Sequence, residues 1–347
     1  MTRVTGAPLR VIIDCDPGNG VPGADIDDGL AIGLALSSPE LRLEAITVVS
    51  GNTHRDVGYS VARTMLERLG VDVPVYAGAA RALVEPPGPW RIRQDASTAR
   101  PDVQHAWRDV RPPQPHPVIG EVDAAQRIAT MVRDSPGEIT ILAIGPLTNI
   151  AMAIQLYPDL PRKVRRIVVM GGAFDVPGFL QELNFGIDPE AAHIVLTSGA
   201  DITLVPLDVT SLTLMRHADL DRLERLADNA LAEYIVETTR PWIDFAAAWR
   251  KIDGCLLHDP LTVALLIDPD VVTLTKAAVD VELQGSLTRA RPISWTDESL
   301  RLHVGIDLPR LTSIHVATGV DNERLVDLLV TRFAAWQPSK IVVGLKR

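Results

Sequence analysis

An apolar stretch from Leu9 to Ile13 runs directly into Asp14-Cys15-Asp16-Pro17-Gly18, and after a Gly/Pro-rich loop the chain reaches Asp25-Ile26-Asp27-Asp28. In an extended strand alternate side chains share a face, so Asp14 and Asp16 project together and Cys15 projects away. Acids crowded at a strand end repel one another unless a shared proton or a cation offsets the charge. A hard divalent metal is the simplest resolution, and a flexible loop offering only oxygen ligands favours Ca²⁺. Asp27 and Asp28 precede the apolar run Gly29 to Leu36, where they predict a helix cap and first turn, because unpaired N–H groups there welcome negative charge. Capping accounts for the second pair of acids and leaves the first pair without partners. Taken together, the two pairs point to metal binding. Cys15, facing the other way, is read as packing.

Elements that position these acids follow in alternation. Strands are predicted over Leu9–Ile13, Leu43–Val49, Val73–Tyr76, Ile139–Ala143, Arg166–Met170 and Ile202–Val205, with helices over Asp27–Leu36, Asp56–Leu69, Asp123–Asp134, Leu147–Leu156 and Pro189–Thr197. That pattern predicts an α/β protein with an open, mostly parallel sheet, helices on both faces and the site at the strand C-terminal ends. Glu85–Pro117, crowded with Pro, Arg and Asp, is expected to be a long irregular loop. Further on, the sequence predicts a helical region over Leu220–Trp249, a short helix after Asp259, a β-rich stretch over Val271–Val304, a strand over Thr312–Ala317 and a helix over Asn322–Trp336. No internal repeat interrupts residues 1–347, which are expected to form one domain with its core at residues 10–335.

Composition excludes several partners. With 46% hydrophobic and 22% charged residues the chain reads as globular. No apolar run is long enough to span a bilayer, so no membrane partner is expected, and the polar opening Met1 to Gly6 lacks a secretory apolar segment, so a cytoplasmic location is. Two cysteines, Cys15 and Cys255, are too few for a disulfide framework. A net charge of −10 argues against nucleic acid, whose binding rests on a positive surface.

The stretch Val11 to Gly18, followed by Asp27-Asp28-Gly29-Leu30-Ala31, resembles the signature of the inosine-uridine-preferring nucleoside hydrolases. Further matches come in order: Val49-Ser50-Gly51-Asn52, Gly145 to Ala151, Val169-Met170-Gly171-Gly172, Glu182 to Ala192, and His258-Asp259-Pro260. Asp-x-Asp alone also suits a haloacid-dehalogenase-like phosphatase; the ordered set is much more specific. The resemblance implies a Rossmann-like fold and hydrolysis of the N-glycosidic bond of a small ribonucleoside, in nucleoside salvage. It further implies a bound Ca²⁺ and a homodimer or homotetramer. It makes Asp16 a metal ligand and general base, Asp28 a bridging ligand, Asp259 a third carboxylate and the Ile144 carbonyl a further ligand. It assigns Asp27, Asn52, Glu182 and Asn184 to the ribose hydroxyls, and makes His258 a catalytic residue that contacts the departing base or delivers a proton to it.

Residue chemistry alone reads some of these positions more plainly. Asp188-Pro189 and Asp259-Pro260 both have the form of a helix cap with Pro at the first helical position, and Asn52 and Asn184 suit turns. Asp14 is read as an acid that orients the metal ligands, and His54 as a surface residue one turn into a helix. Trp242, Phe245 and Trp249 form one helical stripe. In a chain with 4% aromatics, their concentration before His258 suggests a lid or stacking wall for the base, with Trp249 as a substrate-binding residue. Two departures from the family pattern bear on specificity. Asn19 to Asp25 is an extra loop between Asp16 and Asp28, with Asn19 or Asp25 candidates to join the site. Neither a His-Gly motif after the third strand nor an Asn between Gly172 and Glu182 is present. The alternatives are a nucleoside- or ribose-binding protein without turnover, and a metal-dependent phosphatase using Asp14 or Asp16, for which no phosphate loop or lysine can be placed.

Overall fold

The structure, a computed structural model, describes residues 6–84, 88–118, 123–296, 298 and 309–338. Its frame is a nine-stranded sheet in the order β3-β2-β1-β4-β5-β6-β9-β7-β8. The strands are β1 (Leu9–Cys15), β2 (Leu41–Val48), β3 (Val75–Ala77), β4 (Ile139–Ala143), β5 (Arg166–Met170), β6 (Ile202–Val205), β7 (Val272–Val281), β8 (Pro292–Trp295) and β9 (Ile314–Val320). From β3 through β6 to β9 all pairings are parallel, whereas β7 runs antiparallel to both β9 and β8. Every residue of β4 and β6 is buried, as expected of central parallel strands covered on both faces.

The helices described are α1 (Asp27–Leu36), α2 (Arg55–Leu69), α3 (Gly88–Thr98), α4 (Pro101–Ala106), α5 (Ala124–Asp134), α6 (Thr148–Leu156), α7 (Leu160–Lys163), α8 (Leu183–Ile187), α9 (Pro189–Leu196), α10 (Leu207–Thr210), α11 (His217–Leu226), α12 (Ala230–Phe245), α13 (His258–Ile267) and α14 (Asn322–Ala335). One face of the sheet is covered by α1, α2, α12, α13 and α14, through Leu30, Met65, Ile235, Leu261 and Leu329. On the other, α5, α6 and α9 pack through Ile128, Ile150 and Val195. Among the described residues no helix is long and apolar enough to cross a membrane.

Strand order reverses between β1 and β4, and in doubly wound sheets that point opens a crevice beyond the strand ends where ligands bind. The chain places Asp14 and Asp16 at the end of β1 and Ile144 just past β4, on the two sides of this crevice. The Ile144 and Gly145 N–H groups both donate to the Asp14 carbonyl, at 2.8 and 3.2 Å, locking the two strand ends together. Helix α1 packs against α13, so two helix N-termini carrying Asp27, Asp28 and Asp259 in their first turns meet at the same crevice.

Three expectations need correction. Glu85–Pro117 is not one irregular loop, because residues 88–98 and 101–106 form α3 and α4; residues 85–87 lie outside the described set. Pro101 at the first turn of α4 starts that helix rather than breaking one. His54 precedes α2 as its cap residue instead of lying one turn inside. The β-rich stretch over Val271–Val304 reduces to β7 and β8, and its far end lies outside the described residues.

Candidate active site

Asp14 and Asp16 are fully enclosed, at 0% and 1% exposed, and each is held by one oxygen while the other is bare. Asp14 Oδ1 accepts from Thr47 Oγ1 at 2.5 Å and Asn149 Nδ2 at 2.7 Å, leaving Oδ2 without a partner. Asn149 is itself fixed by the Ala79 N–H at 2.8 Å. Asp16 Oδ2 accepts from the Asn52 N–H at 2.5 Å, and Oδ1 is unpartnered. The Asp16 N–H in turn donates to Asp28 Oδ1 at 2.9 Å, again leaving Asp28 Oδ2 bare. This close packing requires Gly51, since a Cβ there would lie 1.8 Å from Asp16 Oδ2.

Asp27, Asp28 and Asp259 each present a carboxylate oxygen within 4.8 Å of the others, all buried. The Asp259 N–H donates to Asp27 Oδ2 at 3.0 Å, so the α13 terminus partly satisfies the acid on α1. Among the described residues no Arg or Lys forms an ion pair with Asp14, Asp16, Asp27, Asp28 or Asp259. Burial pushes Asp14 up to about 7 against its bonds from Asn149 and Thr47. Burial likewise lifts Asp16 to about 8, with the Asn52 bond opposing and the Asp27 charge adding. Burial followed by mutual repulsion raises Asp27, Asp28 and Asp259 well above the ordinary carboxylate range. A set of oxygen ligands with bare lone pairs and no internal cation suits a hard divalent metal.

A cleft of about 870 Å³, in the size range of small-molecule sites, reaches these acids at Asp27 and Asp259, while Asp14, Asp16 and Asp28 lie behind its lining. Asp27, Asn52, Ile144, Glu182, Asn184, His258 and Asp259 line it. Glu182 caps α8, taking the Asn184 and Phe185 N–H groups, and also binds the Gly172 N–H at 2.8 Å. Asn184 Nδ2 donates to the Ile144 carbonyl at 2.9 Å and the Met170 carbonyl at 3.1 Å. One of the two lone pairs of the Ile144 oxygen is therefore taken by Asn184, and one is left. His258 Nδ1 pairs with Thr210 Oγ1 at 2.8 Å, and burial lowers its pKa, favouring the neutral ring.

The structure separates Trp249 from this group. Trp242 and Phe245 are buried, with Phe245 packed against Trp107 at 5.7 Å and Trp242 at 5.4 Å between ring centroids. After Phe245 the helix changes to a π turn over Ala246–Arg250. The wider turn rotates Trp249 off the stripe. Trp249 is 49% exposed, covered by the Arg100 guanidinium at 3.9 Å, and does not line the cleft. Its neighbours Arg250 and Lys251 do. Of the two candidates on the extra loop, Asp25 lines the cleft and meets Arg250 Nη1 at 3.5 Å. Asn19 is instead an internal brace, donating to the Ile26 carbonyl and Thr238 Oγ1. Asp188 is the cap of α9, as read from its Pro.

Sequence reasoning missed α3, which supplies Trp90, Arg93, Gln94, Ser97 and Thr98 to the cleft. Its only signal was the basic and aromatic run Trp90-Arg91-Ile92-Arg93. Where the resemblance leads one to expect a His-Gly motif and an Asn, the cleft wall is made by this helix and by Phe179 and Gln181.

The doubly wound sheet thus carries a polycarboxylate site at its switch point, opening onto a cleft of small-molecule size. The chain matches the inosine-uridine preferring nucleoside hydrolase family over residues 11–327, and it belongs to that family. It is 32% identical to a probable uridine nucleosidase 2 of Arabidopsis thaliana over 94% of this chain and 98% of the relative. It is 34% identical to a pyrimidine-specific ribonucleoside hydrolase of Citrobacter koseri, with the same coverage. Among solved structures, a plant nucleoside hydrolase aligns with a TM-score of 0.81 at 32% identity, covering 95% of this chain and all of the other. A purine-preferring ribonucleoside hydrolase from Gardnerella vaginalis aligns at 0.77 and 30% identity, covering 94% of this chain and 98% of the other. The protein is thus a nucleoside hydrolase, with ribonucleosides as its substrate class.

Proposed function

We propose that the protein cleaves the N-glycosidic bond of ribonucleosides to ribose and free base with Ca²⁺ as cofactor. The observation that carries this reading is the set of bare carboxylate oxygens on Asp16 and Asp28 beside Asp27 and Asp259, with no Arg or Lys among the described residues paired to them. Asp16, Asp28 and Asp259, with the Ile144 carbonyl, are the groups proposed to hold the ion, and Asp27, with a carboxylate oxygen within 4.8 Å of those of Asp28 and Asp259, can join them. When bound, Ca²⁺ supplies a fixed positive charge that anchors a sugar diol and makes water more acidic.

The remaining chemistry belongs to the chain. Asp16 is tethered through Oδ2, so Oδ1 is the oxygen available to take a proton from water attacking C1′. Asp27 and Glu182 accept from ribose hydroxyls, the Asn52 amide can donate and accept, and Asn184, whose two N–H donors are taken by the Ile144 and Met170 carbonyls, can accept through Oδ1. As the bond to the base breaks, the ribosyl group gains positive charge, and the surrounding carboxylates favour that state. His258 sits on the cleft wall where a neutral imidazole can hydrogen-bond the departing base. Relatives named for pyrimidine and for purine preference are similarly close to this chain, so base choice rests on the walls built by α3 and residues 173–182.

The test is a panel of purine, pyrimidine and modified ribonucleosides, scored for reducing sugar and free base with and without chelator. Release should vanish on chelation and return with Ca²⁺, and 2′-deoxynucleosides should be poor substrates. Calorimetric binding of ribose or inosine with no base released would replace this reading with that of a binding protein.

A further inference from the structure

Helix α3 buries one side chain, and it belongs to an arginine. Arg91 is 9% exposed in a helix whose neighbours Ile92, Arg93 and Asp95 all face solvent. Enclosing a guanidinium is unfavourable unless its donors are matched. Its Nη1 donates to the Gly51 carbonyl at 2.9 Å and to the Asn52 carbonyl at 3.3 Å, while Nε donates to Asp95 Oδ1 at 2.9 Å. An apolar anchor would have seated α3 without this desolvation, so the choice of Arg calls for an explanation in its acceptors.

Those acceptors lie directly behind Asp16. The Gly51 carbonyl and the Asn52 N–H are opposite ends of one planar peptide group. Its oxygen receives the Arg91 guanidinium, and its N–H donates to Asp16 Oδ2 at 2.5 Å. With no side chain on Gly51, nothing separates that peptide from the carboxylate. A cation on the carbonyl oxygen polarises the peptide and strengthens its N–H as a donor, and the rigid plane passes on orientation as well as charge.

We infer that Arg91 is a positioning residue for Asp16, acting through the Gly51–Asn52 peptide to hold Oδ2 and thereby aim Oδ1 at the reacting water. The inference rests on the ribohydrolase reading for the role of Asp16. It makes α3 more than a cleft wall, because seating the helix also sets the geometry of the proton acceptor. The His54 ring, with Nε2 3.2 Å from Asp95 Oδ1, braces the same anchor from outside.

Two variants and two readouts test this. Arg91→Met should lower kcat by about 100-fold, the scale of losing one oriented donor at a reacting centre, while KM changes by less than about threefold. Arg91→Lys, which keeps a point cation but loses the fork, should recover kcat to within about tenfold of the parent. A crystal structure of Arg91→Met should show the Gly51–Asn52 peptide rotated and Asp16 Oδ2 without its N–H. The inference is overturned if that contact persists in the Arg91→Met crystal with kcat unchanged, or if both variants lose activity equally and in step with melting temperature. If the parent chain cleaves no ribonucleoside, the ribohydrolase reading fails on its own, and the Asp16–Asn52 contact in the crystal still decides what Arg91 holds.

Discussion

Glu237 on α12 and the carboxylates at the end of β1 are all drawn away from water, yet the chain treats them in opposite ways. Glu237 receives Arg68 Nη2 at 2.6 Å, Arg111 Nη2 at 2.7 Å and the Arg111 N–H at 3.0 Å. Burial alone would raise its pKa; the two guanidiniums outweigh it and hold the carboxyl at about 2. Asp14, Asp16 and Asp28 meet hydroxyl, amide and backbone donors but no guanidinium or ammonium among the described residues, and burial drives them the other way. An acid neutralised from within is a fastener, here tying Arg111 and, through Arg68, helix α2 to α12. An acid enclosed without a counter-charge marks a requirement that something outside the chain must meet.

The sharpest way to break this contrast is Asp16→Ala. Turnover should fall by at least about 1,000-fold, the combined scale of general-base and metal-ligand loss, with the melting temperature unchanged or raised. Full activity in Asp16→Ala would show that the uncompensated acids are also fasteners. Next in size is the response to Ca²⁺. Because the folded metal-free protein holds Asp14 and Asp16 at about 7 and 8 against an ordinary 3.8, their contribution to stability is present in acid. It is lost as pH rises from about 4 through about 8. Saturating Ca²⁺, at about 100 times its Kd, should add roughly 3 kcal/mol, with its largest effect on the melting curve above pH 7. A Ca²⁺ response identical at pH 5 and pH 8 would contradict the assignment.

Glu237→Gln probes the compensated region. It should destabilise the protein by about 2 kcal/mol at pH 7, the scale of losing charge-assisted bonds, and leave kcat untouched. Since its folded pKa lies below the ordinary 4.5, that contribution is present above about 4.5 and disappears as pH falls through about 2. Urea melts of parent and variant should therefore converge in acid. The smallest effect belongs to Trp249→Ala, for which KM values on all cleaved nucleosides should stay within about twofold. A selective rise for one base would bring the aromatic stripe back into the site.

The contrast also explains what could be read from the amino acids. Buried strands such as Ile139–Ala143, Arg166–Met170 and Ile202–Val205 were legible to the residue, because central parallel strands are continuous apolar runs bounded by polar turns. Helix α1 was legible from its acids and apolar face. Asp16, Asp27 and Asp28 stood out through spacing alone, whereas Asn52, Glu182, Asn184 and Asp259 needed the family pattern, since each is also a good turn or cap residue. The roof of the cleft was opaque. Helix α3 has almost no apolar periodicity to reveal it and is seated by a guanidinium on backbone carbonyls, a contact that leaves no trace in a hydrophobic pattern. Trp249 misled for a related reason: a helical stripe assumes 3.6 residues per turn, and the π turn at Ala246–Arg250 breaks that count.

The meeting of α1 with α13 has a bearing on biosynthesis. Asp16, Asp27 and Asp28 leave the ribosome early, and Asp259 follows only after six strands have been made. Until it arrives the nascent chain carries an incomplete cluster of acids that must stay protonated or remain in water. The contact that completes the cluster joins residues 232 apart, and closing so long a loop is a slow kind of step in folding. Free calcium during synthesis should raise the yield of native protein most when the final quarter of the polypeptide emerges.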